Sequence, residues 1–453
     1  MENKEYQPVI GLEIHIELAT ASKMFCGCDA YHFNVEPNTH CCPVCLGLPG
    51  ALPVPNKKAI EWTIRLGLAL NCRILEESKF DRKNYFYPDL PKGYQISQYD
   101  QPFCVQGKVI LKEGREIRIR RVHLEEDTGK LLHTEIGGKK CTLVDFNRSG
   151  IPLLEVVTEP DFQNSQEVDE FLKDLQRTVR YLGISDADME KGSLRIEPNI
   201  SIKTKSVKGK AQNDEELPLY KVEVKNINSF RFARKAIEYE IERQIEILQG
   251  GETPIQETRG WNETENKTVS QREKEEAHDY RYFPEPDIPP MNFTPEKIAE
   301  IKKQIPELPE KKEKRFIKEF KLSPYQVDLL IETKELADYY EEALKINGKI
   351  DGRKYSSPSE IANWLINRKV DIKTVSPEKL IKDLIASKEV TSVSEAEMSR
   401  IVDETLSENA QAAADYKKGK TAVLGFLIGQ AVKKIGPQAD RQEITRELIE
   451  KLK

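Results

Sequence analysis

Alternation of apolar and polar residues, broken by Gly, Pro and Asn turns, dominates the chain from Val9 to about Asp287. A period of two residues is typical of β-strands that bury one face. Strong alternation favours an antiparallel sheet, because strands of a parallel sheet are covered on both sides and form continuous apolar runs. Beyond Pro295 the pattern changes to capped helices. The sequence therefore predicts an α+β fold, with an antiparallel-sheet domain followed by all-α domains.

Two helices are predicted within the alternating region. One runs from a cap at Asn164 to a stop at Gly183, and the other follows Ser229 and ends at Gly250. The Pro-rich segment Tyr282–Pro290 is predicted to be the linker to the second part, because prolines favour extended backbone. A Ser side chain can cap the free amides at the start of a helix, and Pro is tolerated at the first helical position. The second part is therefore predicted to have helix starts at Ser323-Pro324, Ser357-Pro358 and Ser376-Pro377.

Bulk composition excludes several classes of protein. A chain of 453 residues is too long for one ordinary domain, so two or three domains are expected. No apolar run reaches the roughly 18 residues of a membrane span, and the N-terminus lacks the basic and apolar regions of a signal peptide. We therefore expect a cytoplasmic protein with no membrane partner. The net charge of −6 argues against a protein that coats nucleic acid, although a local RNA contact is compatible with it.

Four predicted strands place charged side chains on one face. Residues 11–18 alternate so that Glu13, His15 and Glu17 share a face. A sheet with one solvated face alternates in the same way, but such a face would more often carry Thr, Gln and Lys. Adjacent carboxylates repel unless a cation lies between them, so the face is interpreted as the floor of a phosphoryl-transfer site that binds Mg²⁺. The other three strands contribute Arg121, His123 and Glu125; Arg195, Glu197, Asn199 and Ser201; and Lys221, Glu223 and Lys225.

Residues 78–98 interleave Lys and Arg with Tyr and Phe in a segment that also contains Pro and Gly. Such a loop suits stacking on RNA bases and contact with phosphates, although an ordinary surface loop can have the same composition. The sequence contains no P-loop, no dinucleotide-binding glycine motif and no kinase catalytic-loop motif. Any ATP site is therefore predicted to be of another kind.

Five of the eight cysteines crowd into residues 26–45. In a reducing compartment such crowding favours a metal site over disulfides. The pairs Cys26-Gly-Cys28 and Cys42-Pro-Val-Cys45 supply the four thiolates that tetrahedral Zn²⁺ accepts, and four sulfur ligands leave no open position for water. A structural zinc is therefore predicted. Two alternatives stay open: free cysteines packed in a turn, or replacement of a ligand by Cys41, His40 or His32.

Long and unusual motifs in the first part resemble the B subunit of the bacterial heterotrimeric aspartyl/glutamyl-tRNA amidotransferase. The matching segments are VIGLEIH at 9–15, KFDRKNYFYPD at 79–89, GYQISQ at 93–98, HLEEDTGK at 123–130, DFNRSGIPLLE at 145–155, MEKGSLR at 189–195, KNINSF at 225–230 and DYRYFPEPD at 279–287.

The resemblance implies a cradle-shaped catalytic domain at residues 1–293 with the zinc site at 26–45, a helical domain at 294–390, and a tail domain at 391–453 that contacts tRNA. It implies three partners: an amidase A subunit that releases ammonia from glutamine, a small C subunit, and misacylated tRNA. The implied cofactors are ATP and Mg²⁺. The implied enzyme is a ligase that phosphorylates the side-chain carboxylate of Glu-tRNA(Gln) or Asp-tRNA(Asn) and then amidates it.

The resemblance also implies roles for particular side chains. The magnesium ligands would be Glu13, His15, Glu125 and Glu223. The catalytic residues would be Glu13, His15, Glu125, Glu126, Arg195 and Lys225. The cofactor-binding residues would be Lys79, Arg82, Lys83, Tyr85, Glu155 and Glu197.

The chain departs from the family pattern after Leu384, where residues 386–394 directly bridge segments that relatives separate by a further helical stretch. Two other functions compete with the amidotransferase interpretation. One is a catalytically silent, zinc-stabilised tRNA adaptor, which would not bind Mg·ATP. The other is a stand-alone ligase similar to the ATP-grasp enzymes, which would act on a small acid without other subunits. No Ser/Lys amidase or Cys-His glutaminase pattern is evident, which disfavours the autonomous ligase.

Overall fold

The computed structural model describes residues 4–206, 217–273, 280–347, 356–387, 394–436 and 439–452. The chain divides into two compact units, Met1–Lys311 and Lys312–Lys453. Residues 388–393 of the predicted shortened joint lie outside the described residues, as does Asp279 of one matching segment. The domain boundaries inferred from the resemblance therefore stay predictions.

The first unit contains the strands of the described chain. They are β1 (Lys4–Glu17), β2 (Arg73–Ile74), β3 (Glu77–Ser78), β4 (Asp81–Asn84), β5 (Tyr94–Ser97), β6 (Cys104–Ile110), β7 (Glu116–Glu126), β8 (Lys130–Ile136), β9 (Lys139–Asp145), β10 (Pro152–Thr158), β11 (Leu194–Ser206), β12 (Val222–Lys225), β13 (Glu257–Asn262), β14 (Lys267–Glu273), β15 (Phe283–Pro284) and β16 (Met291–Asn292).

Nine strands form the main sheet, in the order β14-β13-β12-β11-β1-β10-β7-β6-β2. Neighbouring strands are antiparallel except β12 and β13, which pair in parallel. Smaller sheets have the orders β15-β4-β5, β16-β3 and β8-β9. The predicted antiparallel α+β class is confirmed.

Four helices of the first unit are α1 (Lys57–Ala69), α2 (Ser165–Leu182), α3 (Phe230–Gln249) and α4 (Pro295–Lys303). Apolar side chains of these helices, such as Leu66, Phe171 and Ile237, share one buried core with the inward-facing residues of the sheet. The predicted bounds of α2 and α3 are confirmed. Asn164 accepts a hydrogen bond from the Glu167 amide at 2.8 Å, and Gly183 ends α2 in the left-handed conformation with φ of 65°.

The Pro-rich segment predicted to be a linker is instead part of the first unit, so that prediction is wrong. Phe283 in β15 pairs with Arg82 in β4, and Met291 in β16 pairs with Ser78 in β3. Short edge strands tolerate proline because an outward-facing position needs no amide donor. Helix α4 then adds Ile301 to the core of the same unit.

The second unit is helical. Its helices are α5 (Pro309–Phe320, which begins at the end of the first unit), α6 (Pro324–Leu330), α7 (Lys334–Asn347), α8 (Pro358–Asn367), α9 (Pro377–Ala386), α10 (Glu395–Glu408), α11 (Ala410–Lys417), α12 (Leu424–Ile435) and α13 (Arg441–Leu452), with a 3₁₀ turn at Thr421–Val423.

The three predicted Ser-Pro helix starts are confirmed, because Ser323, Ser357 and Ser376 cap α6, α8 and α9. Two buried apolar clusters occur in this unit. One is formed within residues 316–384 and includes Phe316, and the other is formed within 398–452 and includes Leu427. Within the described residues, no helix has both the length and the apolar character needed to cross a bilayer.

Candidate functional site

The charged face predicted from sequence lies on five adjacent strands, β12-β11-β1-β10-β7. The alternation on β1 is confirmed, since Leu12, Ile14 and Ile16 are buried in the core while Glu13 and His15 remain partly accessible on the opposite face. Residues directly opposite one another in a sheet project to the same side. The register therefore decides which charged residues meet.

The first group on this face consists of His15, Glu125 and Glu155, here called the histidine cluster. One ligand atom from each residue lies within 4.8 Å of the other two. His15 Nε2 is 3.6 Å from Glu155 Oε2 and 3.9 Å from Glu125 Oε1. Glu155 faces His15 directly across the β1–β10 pair. Because imidazole nitrogen and carboxylate oxygens converge here, the donor set suits a divalent cation.

His123 completes the surroundings of this cluster. Its Nε2 atom lies 3.1 Å from Glu155 Oε2 and 3.6 Å from Glu125 Oε2, and its side chain is buried. Its Nδ1 atom has no hydrogen-bond partner within the described part of the chain. The sequence placed His123 on this face, but no role was predicted for it. Its position two residues before Glu125 on a strand was the available signal.

The charged groups of the histidine cluster shift one another's pKa values strongly. Burial alone would lower the pKa of His15, but the hydrogen bond with Glu155 and the charges of Glu155, Glu197 and Glu125 raise it to about 9. Burial opposes ionisation of Glu155, yet His123 and His15 hold the pKa of Glu155 well below its usual range. The carboxylates are therefore ionised and attract positive charge into a desolvated position.

The second group consists of Glu13, Glu197 and Glu223, here called the lysine-bridged cluster. One carboxylate oxygen from each lies within 4.8 Å of the others. Lys225 Nζ lies 2.9 Å from Glu197 Oε2 and 3.1 Å from Glu223 Oε1. Asn199 donates a 3.1 Å hydrogen bond to Glu13 Oε1. A cationic side chain thus already lies between two of these carboxylates.

The structure divides the four predicted magnesium ligands between the two clusters. His15 and Glu125 belong to the histidine cluster, whereas Glu13 and Glu223 belong to the lysine-bridged cluster. Burial raises the pKa of Glu197, and the charges of Lys225 and His15 oppose that change. The predicted cofactor-binding residues Glu155 and Glu197 also separate, one into each cluster.

Two predicted catalytic residues lie outside both clusters. Arg195 Nη2 donates a 2.7 Å hydrogen bond to Asp127 Oδ2, a contact that was not predicted although Asp127 belongs to a matching motif. Burial opposes ionisation of Asp127, but the charge of Arg195 holds its pKa well below its usual range. Glu126 pairs with Lys92 and accepts a 3.0 Å hydrogen bond from the Ile96 amide.

The predicted cofactor-binding residues Lys79 and Arg82 are engaged by carboxylates. Arg82 binds Glu285 through two hydrogen bonds, Nε to Oε2 at 2.7 Å and Nη2 to Oε1 at 2.8 Å. Lys79 Nζ lies 2.9 Å from Asp81 and 2.8 Å from Asp100. A bidentate Arg–carboxylate pair has fixed geometry, so Arg82 orders the segment that carries Glu285.

Lys83 and Tyr85, also predicted to bind cofactor, lie near the histidine cluster. Burial would lower the pKa of Lys83, but the charge of Glu125 raises it above its usual value. Lys83 Nζ lies 5.0 Å from the centroid of the Tyr280 ring, and the Tyr85 ring meets Tyr280 edge-on at 6.1 Å. Cation and ring are therefore interleaved at the margin of the cluster.

Further tyrosines extend this aromatic margin. Tyr280 and Tyr282 are in edge contact at 6.0 Å, and Tyr282 stacks on Tyr99 with ring centroids 4.3 Å apart and an interplanar angle of 12°. The segment that carries Tyr280 and Tyr282 is one of the matching motifs, but neither tyrosine was among the predicted site residues. The pairing of β15 with β4 and the hydrogen bonds from Asn84 to the Tyr280 and Arg281 carbonyl oxygens bring them beside Lys83.

The predicted tetracysteine group is assembled by the fold. One sulfur atom each from Cys26, Cys28, Cys42 and Cys45 lies within 4.8 Å of the others. The Cys42 amide donates a 3.0 Å hydrogen bond to Cys45 Sγ, and the hydrogen bond from Cys26 is the main cause that lowers the pKa of Cys45 to about 4. Four converging sulfurs, one favoured as thiolate, fit a tetrahedral Zn²⁺ ion.

The alternative ligands have other partners. Cys41 Sγ lies 3.8 Å from Asn147 Oδ1, and His40 Nδ1 lies 2.8 Å from the Tyr31 carbonyl oxygen. His32 Nε2 lies 3.0 Å from Glu17 Oε2. The geometry therefore favours Cys26, Cys28, Cys42 and Cys45 as the ligand set.

By its fold and site, this chain is an antiparallel-sheet protein with three candidate metal sites among the described residues, two formed mainly by carboxylates and one by four thiols. A family model described as GatB/GatE catalytic domain matches residues 8–299, and one described as GatB domain matches residues 359–452. The chain belongs to the family of aspartyl/glutamyl-tRNA(Asn/Gln) amidotransferase B subunits, as its motifs predicted. It is thus one component of a tRNA-dependent amidotransferase, a ligase.

Named relatives match over nearly the whole chain. The chain is 43% identical to the B subunit of the aspartyl/glutamyl-tRNA(Asn/Gln) amidotransferase of Carboxydothermus hydrogenoformans, with 99% of each chain covered. It is 44% identical to the corresponding protein of Caldicellulosiruptor saccharolyticus, covering 99% of this chain and 100% of the relative. The alignments extend over 494 and 496 positions, more than the 453 residues present here, so these relatives contain residues that this chain lacks.

Proposed function

We propose that this chain activates the side-chain carboxylate of Glu-tRNA(Gln) or Asp-tRNA(Asn) with ATP and then catalyses its amidation by ammonia. The histidine cluster is the observation that carries this proposal. Its two buried carboxylates and its imidazole converge on one point of a sheet face. The family to which the chain belongs sets the substrate class.

A carboxylate is a poor electrophile, so direct attack by ammonia is slow. Transfer of the γ-phosphoryl group of ATP to the carboxylate oxygen forms an acyl phosphate and releases ADP. Ammonia then attacks the acyl carbon, the C–N bond forms, and phosphate leaves with the electrons of the broken C–O bond and takes up the proton that the nitrogen loses. The chain has no recognisable amidase pattern, so we infer that a separate amidase A subunit supplies ammonia and that a small C subunit completes a heterotrimer.

We assign the binding of a divalent cation to His15, Glu125 and Glu155, because their donor atoms fit one ion. When bound, such an ion would neutralise charge on the transferring phosphoryl group. His123 orients Glu155 through its 3.1 Å contact. Lys83, near Glu125, supplies a positive charge for phosphate.

The lysine-bridged cluster has a second place in the proposal. We assign Glu13 and Glu223 to the edge of the phosphate site, with Lys225 providing positive charge there. Arg195 fixes the position of the Asp127 carboxylate by a hydrogen bond, and so contributes to the shape of the phosphate site. The stacked tyrosines Tyr99 and Tyr282 support binding of a nucleotide base, since flat rings stack on bases of any sequence.

We also propose the remaining parts of the family scheme. Residues 1–293 form the catalytic cradle, 294–390 the helical domain, and 391–453 the tail that contacts tRNA. Zn²⁺ at the four cysteines is structural, because four protein ligands fill its coordination sphere. The reaction takes place in the cytoplasm, where aminoacyl-tRNA is made and used.

Transamidation by the reconstituted complex tests the proposal. We expect Glu125→Gln to lower the amidation rate at least about hundredfold, since the isosteric amide removes one charge that holds the cation. Glutaminase activity of the same complex should persist. Glu135→Gln is the matched control, because Glu135 is an exposed carboxylate on β8 that lies outside both clusters.

Two results would contradict the proposal. One is a native rate of amidation in Glu125→Gln. The other is failure of the isolated native chain to bind Mg·ATP, which is what the tRNA-adaptor interpretation predicts.

A further inference from the structure

Glu126 is held from two sides within the first unit. Its carboxylate pairs with Lys92 Nζ, and its Oε1 atom accepts a 3.0 Å hydrogen bond from the Ile96 amide. Glu126 and Lys92 are both almost fully buried at their side chains, at 3% and 8% exposure. A buried ion pair depends strongly on placement, because a partner that moves away leaves an uncompensated charge. The position of Lys92 therefore controls the position of Glu126.

Lys92 packs directly against the turn that carries Cys42 and Cys45. Gly47, two residues after Cys45, has φ of 66°, and a Cβ atom built there would overlap Lys92 Cγ and lie 3.0 Å from Lys92 Cα. The turn itself is closed by hydrogen bonds from the Leu46 amide to Cys42 O and from the Gly47 amide to Val44 O. Gly47 thus forms a surface on which the aliphatic stem of Lys92 rests.

The same turn is attached to the backbone beside Glu126. Ser149 donates a 3.2 Å hydrogen bond to the Cys45 carbonyl oxygen. A Cβ atom built on Gly150, which has φ of 85°, would lie 3.5 Å from Cys45 Cβ and 3.9 Å from Glu126 Oε2, so Gly150 lies next to both residues. The Gly150 amide also donates to the Asp127 carbonyl oxygen at 2.9 Å. The cysteine turn therefore contacts Lys92, the partner of Glu126, and residues 149–150, whose backbone is hydrogen-bonded to Asp127 next to Glu126.

A buried lysine adds a further attachment. Lys23 is fully buried, and its Nζ atom donates to the carbonyl oxygens of His40 at 2.8 Å and Phe146 at 3.2 Å. It thereby ties the start of the cysteine turn to the loop that precedes Gly150. Both ends of the turn are fixed to the same loop.

From these contacts we propose that the cysteine turn, the segment from Cys42 to Gly47, positions Lys92 and through it Glu126 when its metal is bound. Gly47 and Lys92 are positioning residues, and the metal site is a mechanical support of the buried Lys92–Glu126 ion pair. The effect on the reaction rests on the proposed function, whereas the effect on structure does not.

Hydrogen exchange of the Ile96 amide tests the coupling, because this amide donates to Glu126 itself. The full-length native chain is compared with Gly47→Ala and Gly50→Ala, each with Zn²⁺ and after removal of the metal by a chelator. Gly50→Ala is the matched control, because Gly50 has a similar φ of 84°, yet no described heavy atom lies within 4 Å of its Cβ position. Metal content is measured for each protein.

We expect Gly47→Ala to retain its zinc and to exchange at Ile96 about tenfold faster than the native chain, the scale of a lost hydrogen bond to a charged acceptor. Gly50→Ala should exchange at the native rate with zinc bound. Chelation should accelerate Ile96 in the native chain to a similar extent. Native exchange at Ile96 in zinc-loaded Gly47→Ala, or after chelation of the native chain, would overturn the proposal.

Substitution of Lys92 distinguishes an effect on the position of Glu126 from a general loss of protein stability. Lys92→Met should accelerate exchange at Ile96 and slow amidation by the reconstituted complex, whereas Lys92→Arg, which keeps the charge, should restore both. Native exchange at Ile96 in Lys92→Met, or exchange in Lys92→Arg as fast as in Lys92→Met, would show that the coupling is wrong. Fast exchange with a native amidation rate in Lys92→Met would support the coupling and contradict only the catalytic role of Glu126.

Discussion

The histidine cluster and the lysine-bridged cluster occupy neighbouring positions on one sheet face, yet they balance charge differently. In the histidine cluster, the carboxylates Glu125 and Glu155 face imidazoles, and the pKa of His15 is raised to about 9. In the lysine-bridged cluster, Lys225 Nζ already lies within 3.1 Å of both Glu197 and Glu223.

This difference indicates which kind of positive charge each cluster binds. A permanent ammonium group neutralises carboxylates without any other ion. Imidazoles neutralise them only when protonated, and a protonated imidazole cannot ligate a metal. A divalent cation that binds in the histidine cluster therefore displaces the proton of His15 and replaces it as the source of positive charge. Three predictions test this contrast.

The largest expected effect separates the two clusters by the same chemical change. Glu155→Gln should lower the amidation rate at least about hundredfold, because Glu155 contacts both His15 and His123 and is a proposed ligand of the cation. Glu197→Gln should remain within about tenfold of the native rate, since Lys225 keeps its contact with Glu223. Rates are measured at saturating Mg·ATP in the reconstituted complex. Equal losses in the two variants would remove the distinction between the clusters.

A smaller effect is expected for the residue behind the histidine cluster. His123→Gln removes the contact that orients Glu155, and we expect about 10- to 100-fold weaker binding of a divalent cation. Mn²⁺ titration followed by electron paramagnetic resonance measures this affinity in the isolated chain. His133→Gln, an exposed histidine on β8, serves as the control. Unchanged Mn²⁺ affinity in His123→Gln would mean that Glu155 is oriented by other contacts.

The smallest expected effect concerns the lysine-bridged cluster. Lys225→Met removes the ammonium group between Glu197 and Glu223, so a second Mn²⁺ ion should bind there a few-fold more tightly than in the native chain. The same titration resolves the two classes of site. Weaker binding at the second site in Lys225→Met would show that Lys225 supports cation binding and does not replace it.

Much of this site was accessible from sequence because strand alternation is a local property. Glu13, His15 and Glu17 share a face of β1 whatever the rest of the chain does, and the cysteine spacing by itself indicated a tetrathiol site. The grouping of ligands was not accessible. Glu155 lies on a strand that is buried along its whole length, so its alternation gave no signal, and only its register opposite His15 brings it into the cluster.

Sequence alone determined which side chains project to each face of β1, where helices begin at Asn164, Ser229 and the Ser-Pro pairs, and which family the chain resembles. These features depend on backbone periodicity and local capping, which act over a few residues. The tertiary structure decided strand order and register, and with them the separation of two clusters, the engagement of Arg82 by Glu285, and the contact of Gly47 with Lys92. Contacts between distant segments require chain-wide packing, and no local pattern encodes them.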